Sequence, residues 1–195
     1  MATAATAPIV MPAPAFAQYQ ATVPSGTVIQ VRYKDGDKIM VTPEETAPVD
    51  LIVAKDIKAP LGAILVPAGS TIKGQLQPAE GGSQYVASQI ILPNGKQLPL
   101  DATSQVVTRK EEVRKGPRAR SILVGTAVGA GAATALSTIF GGGLRGVKAW
   151  RVLAGAGAGA IGGTLLGRRK VELVSIQPSQ DLALTLRSNL LVSDP

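Results

Sequence analysis

VPSGTVI at residues 23–29 returns as VPAGSTI at residues 66–72, and a looser third copy, LPNGKQL, occupies residues 92–98. Each copy places Pro and then Gly two residues later, a spacing that sets a tight turn, and each then launches an extended run. After the first turn Ile29, Val31 and Tyr33 share one side of the chain against Gln30, Arg32 and Lys34. After the second, Ile72, Gly74 and Leu76 alternate with Lys73, Gln75 and Gln77. A period of two marks strands with one buried face. Asp35-Gly36, Gly81-Gly82 and Asn94-Gly95 lie between apolar runs and offer the positive-φ positions that hairpin turns need.

Working outward, strands are expected at 27–33, 37–42, 49–56, 62–66, 70–77, 84–92 and 96–101. Strand character resumes at Val171–Ile176, and Leu182, Leu184 and Leu186 then alternate cleanly. Short strands at this spacing indicate a mainly β protein, a small antiparallel barrel or sandwich. The composition agrees: aromatics are 3%, with 22 Gly and 14 Pro among 195 residues.

The β pattern is interrupted. Residues 121–144 and 152–167 contain no charged side chain. Gly155, Gly159, Gly163 and Gly167 recur at four-residue spacing in the second segment. Gly125, Gly129, Ala133, Ser137 and Gly141 do so in the first. On a helix such residues share one face, and a face of small residues lets helix backbones approach closely, as in membranes. Soluble helices rarely carry so much Gly, since each costs about 1 kcal/mol relative to Ala. Residues 121–167 are therefore expected to form a glycine-zippered helical hairpin that inserts into a membrane and packs against copies of itself, the alternatives being packing within a soluble assembly or a loosely ordered segment. Arg118 and Arg120 before it, Arg145, Lys148 and Arg151 in its connection, and Arg168, Arg169 and Lys170 after it are placed to face lipid headgroups. The resulting organisation is 1–17 leader, 18–110 first part of the β domain, 111–120 basic linker, 121–167 hairpin, and 168–195 closing strands.

The leader, MATAATAPIVMPAPAFA, ends Ala15-Phe16-Ala17, the A-x-A form of a signal-peptidase site. It reads either as the tail of a signal peptide or as an Ala/Pro-rich leader. The formal charge of +7 and the pI near 9.9 suit anionic partners, or a solvated surface biased towards Lys and Arg.

Several chemistries are excluded by composition. With 0 His and 0 Cys there is no imidazole base, thiol nucleophile, disulfide or zinc site of the usual donors. The 13 Asp and Glu are scattered without an acid/base pair, and there is no G-x-S-x-G or P-loop. Gly157, Gly159 and Gly162 match G-x-G-x-x-G, but a basic connection and a long apolar stretch precede them, where the dinucleotide fingerprint requires a βαβ unit. No catalytic residue, cofactor or metal is expected.

The stretches VPSGTVIQVRY, VDLIVAKDI, ILVPAGSTIKGQL, IILPNGKQLPLD and IQPSQDLALTLRSNLLV occur in that order, with the uncharged segments inserted before the last. So ordered, residues 23–193 resemble the C-terminal domain of the channel-forming subunit of type IV secretion and conjugation core complexes, the TrbI-like family. The resemblance implies a periplasmic β-barrel-like domain whose helical insertion reaches the outer membrane of a diderm bacterium. Its implied partners are copies of itself in a ring, membrane lipid and other envelope proteins, with nucleic acid only as transported cargo. The alternative reading is a membrane-tethered periplasmic β domain that binds another envelope protein or an anionic glycan.

Overall fold

The computed structural model of the chain describes residues 21–60, 62–114, 123, 125–140, 151–153 and 170–192. The first two repeats form the same turn. The Thr27 and Ser70 amides donate to the Pro24 and Pro67 carbonyls at 3.3 Å, and their hydroxyls donate to those carbonyls at 2.7 Å. Gly26 and Gly69, at φ 84° and 88°, hold the turn position that only glycine takes without strain. In the third copy the Gly95 amide donates to the Leu92 carbonyl, so Pro93 and Asn94 form the corner and Gly95 follows at φ 86°. Gly36 departs from expectation, since its φ is not positive. It is glycine for closeness: a Cβ there would land on the Gly125 carbonyl.

The elements run β1 (Ala21–Val23), β2 (Val28–Ile29), β3 (Val31–Tyr33), β4 (Lys38–Val41), β5 (Ala47–Val53), β6 (Ile57–Lys58), β7 (Ile64–Val66), β8 (Thr71–Ala79), β9 (Gly82–Ile91) and β10 (Gln97–Thr103). They continue with β11 (Lys110–Arg114), β12 (Thr126–Gly129), α1 (Ala130–Phe140), β13 (Arg151–Leu153), β14 (Lys170–Ile176), α2 (Pro178–Asp181), β15 (Leu184–Leu186) and β16 (Leu190–Val192). The protein is mainly β with a small helical insertion. Its principal sheet is antiparallel, in the order β2-β15-β10-β9-β8-β5-β3. The two terminal members, β2 and β3, are halves of one extended run broken only at Gln30. One half pairs with β15 and the other with β5, so the sheet returns on itself as a barrel-like ring. Closure removes the free edges that an open sheet would present. Of the strands expected after residue 168, β15 joins the ring between β2 and β10, with Leu184 and Leu186 buried in its core, whereas β14 belongs to the second sheet.

A second sheet, β11-β14-β4-β12-β13, lies against the barrel. Its β4 has core on both faces: Ile39 and Val41 join the barrel core, while Met40 points to a second cluster with Val113, Val128, Leu136, Ile139 and Leu173. That double burial explains why Ile39-Met40-Val41 is a continuous apolar run rather than an alternating one. Helix α1 covers the outer face, burying Ala132, Ala135, Leu136 and Ile139 at helical spacing. The layers are thus barrel, mixed sheet and helix.

Two expectations about the insertion change here. Residues 110–114 form an edge strand paired with β14, so the charged stretch does not begin as a solvated linker. Val113 supplies the reason, because it is wholly buried in the second core. The first arm is likewise not one helix over 121–144. Gly125, at φ 70°, is a turn residue and Gly129 ends β12, so neither shares a helix face with Ala133 and Ser137. The sheet offers this arm's apolar side chains burial within the domain, and the glycines let the chain break from strand to helix. Among the described residues no helix is long and apolar enough to cross a membrane.

Candidate functional site

The charge of the chain is sharply partitioned. Ten of its 20 Lys and Arg lie between Arg114 and Lys170, and none of its 13 Asp and Glu does. The rest of the chain therefore carries 10 cations against 13 anions. A strongly cationic stretch of sequence thus interrupts a slightly acidic β domain, which makes its points of attachment the candidate site.

Strand directions fix where it is moored. β12 pairs parallel with both β4 and β13, whereas β14 runs antiparallel to β4 and to β11. Hence β11, β4, β12 and β13 all end at one end of the sheet, where β14 alone begins. Arg114 and Lys170 are register partners there, so the insertion departs and returns side by side. Glu112 lies beside both: it accepts hydrogen bonds from Arg114 and from Lys170, the latter at 3.0 Å. The Arg114 guanidinium, and then the Lys170 ammonium, hold the Glu112 carboxyl below its ordinary pKa, and Glu112 in turn raises that of Arg114. Lys38 and Glu111 pair at 3.0 Å across the same sheet.

The same end of the sheet holds Glu45, four residues beyond β4 and only 4% exposed. Its carboxylate accepts the Gly131 amide at 2.8 Å and the Ala132 amide at 3.1 Å, the second and third residues of α1. It also accepts the Thr42 amide at 3.2 Å. α1 has no acidic residue in its first turn, so Glu45 supplies from afar the anion that a helix N-terminus favours. Gly129 makes this possible, because a Cβ there would overlap the Glu45 carboxylate.

The residues singled out from sequence fall into three groups. Gly125 and Gly129 serve the turn and the Glu45 contact rather than a helix groove. Arg151 opens β13 rather than lying in a connection, and Lys170 opens β14, exposed but paired with Glu112. Gly141, Gly155, Gly159, Gly163 and Gly167, with Arg118, Arg120, Arg145, Lys148, Arg168 and Arg169, lie outside the described residues. Glu45 and Glu112 were missed by the sequence reading. A signal for Glu45 exists, since Thr42-Pro-Glu-Glu45 has the S/T-x-x-E form of a capping box. No helix follows it locally; the helix it caps begins at Ala130.

Elsewhere, an open groove of about 460 Å³ is lined by Ser88, Pro99, Leu100, Asp101, Ser188, Asn189 and Leu191. Asp101 is its single titratable side chain. Among the described residues no cluster of three or more Asp or Glu could hold a metal ion.

No family model matches this chain, and no curated protein matches it. Among solved structures, one similar chain is ComB10 of the Com type IV secretion system of Helicobacter pylori. It is 14% identical, with 91% of this chain and 94% of that chain covered, at a TM-score of 0.43. At that score the likeness assigns neither fold nor function.

Proposed function

We propose that this chain is a non-catalytic structural component of the cell envelope. Its β domain stands on the periplasmic side and holds a cationic insertion against an anionic membrane surface, where copies assemble through the glycine-rich stretch 155–167. The observation that carries this reading is the charge partition: Arg114–Lys170 has ten cations, no anion and two uncharged stretches. Basic residues near an anionic surface contribute about 1 kcal/mol each, so several acting together give firm association. The A-x-A sequence at Ala15–Ala17 supports export, which favours the outer over the inner membrane for a diderm bacterium. The ordered stretches that resemble the TrbI-like family support a channel or scaffold role in a secretion or conjugation complex, with self-assembly as a ring. The first arm's packing on its own sheet moves the expected helix–helix contact to the second uncharged segment.

Membrane fractionation followed by electron microscopy of the detergent-solubilised particle tests this. Carbonate-resistant membrane association and a large, detergent-stable particle are expected. Recovery of soluble periplasmic monomer alone would refute it.

A further inference from the structure

We infer that Glu45 and Gly129 form a latch that keeps α1 and β12 docked on the sheet, and that opening it delivers this apolar unit to an anionic lipid bilayer. The inference rests on the membrane reading given above and adds a control point to it. Leu123–Phe140 is 18 residues without a charge. Straightened into one helix it would reach about 27 Å, close to the ~30 Å of a bilayer's hydrocarbon core. On the domain the same residues are instead folded into a turn at Gly125, a four-residue strand and an 11-residue helix. The sequence thus has two ways to bury the same apolar side chains.

What favours the docked form is unevenly distributed. Of the described α1 side chains that are buried, Ala132 and Ala135 are small, so Leu136 and Ile139, with the half-buried Phe140, provide most of the helix's apolar anchorage. β12 joins its neighbours through only three register pairs on each side. Glu45 adds a polar tie at the start of the helix, where its two oxygens hold the Gly131 and Ala132 amides. Once α1 leaves, Glu45 regains water and those amides find carbonyl partners within the straightened helix, so the carboxylate's hold acts on the docked state alone. Gly129, at the end of β12, leaves room for the same contact. The latch also lies where Arg114 and Lys170 bracket the insertion, so cations drawn to lipid pull at that end of the sheet.

The test uses the full chain as wild type, Glu45→Ala, Gly129→Ala and, as control, Glu44→Ala. The control removes the same charge from an exposed neighbour. Flotation with phosphatidylglycerol-containing vesicles is read beside hydrogen exchange of residues 130–140 and of β8–β9. Both latch variants are expected to lose protection in 130–140, keep it in β8–β9 and bind vesicles about tenfold more tightly, because the docked population no longer competes. Glu44→Ala should match wild type. Loss of protection without tighter binding overturns the inference, as does unchanged protection in 130–140. Wild type that floats while the latch variants float equally defeats the latch alone. If no protein floats, the membrane reading falls and the latch falls with it.

Discussion

Replacing Tyr85 by Phe tests the barrel interior in a way that changes sign with pH. Tyr85 is fully buried, and its hydroxyl donates to the Val49 carbonyl at 2.8 Å, with the Ile72 carbonyl at 3.3 Å. Phe keeps the ring but leaves both carbonyls without that donor, which should destabilise the fold by about 1–2 kcal/mol at neutral pH. Burial, and secondarily the nearby Asp50 charge, push the Tyr85 pKa far above its ordinary value of 10.0. The folded state thus holds the phenol proton after the unfolded chain has released it. A raised folded pKa gives stability that is complete below about pH 10 and lost as pH rises beyond it, at about 1.4 kcal/mol per pH unit. By pH 12 the wild type should lose roughly 2–3 kcal/mol through this residue, and Tyr85→Phe nothing. The variant, less stable at pH 7, should therefore match or exceed wild type near pH 12. Urea unfolding of both proteins at pH 7, 10, 11 and 12 gives the difference directly, since the remaining titrating groups are common to both. Parallel stability curves across that range would refute the burial of a hydrogen-bonded phenol.

Three further outcomes follow from named positions. Gly74→Ala would set a Cβ against the Val86 carbonyl and 2.6 Å from the Tyr85 hydroxyl. It should destabilise by about 3 kcal/mol in urea melts, with less than additive loss when combined with Tyr85→Phe because both act on one contact. Gly69→Ala meets no atom within 4 Å but must hold φ 88°, so a loss of about 1–2 kcal/mol with unchanged denaturant slope should come from backbone strain alone. If copies assemble through residues 155–167 as proposed, Gly159→Leu should leave monomers by light scattering in detergent; a persisting particle would exclude that stretch as the assembly contact.

Much of the barrel was legible locally. The Pro-x-Gly repeats place Gly26, Gly69 and Gly95 at positive φ, and the alternation after the first two assigned faces correctly, with Ile29, Val31, Ile72 and Leu76 all buried. The site was less legible because it depends on pairings far apart in sequence. Glu45 and Gly131 are 86 residues apart, and Lys38 and Glu111 are 73 apart. Small residues at four-residue spacing read as a helix groove through Gly125, Gly129, Ala133 and Ser137. Spacing alone cannot report that a turn at Gly125 and a strand ending at Gly129 fall within that stretch.

By itself the sequence determined the strand-and-turn grammar, the absence of imidazole and thiol chemistry, and the concentration of ten cations with no anion in one insertion. These follow from residue type and nearest neighbours. The tertiary structure decided that β2 and β3 close the barrel from both sides, and that the first arm's apolar face turns inward onto a second sheet. It also assigned the anion for α1 to Glu45, a residue far back along the chain. Burial and long-range hydrogen bonding depend on which surfaces meet, and a local pattern carries no record of that.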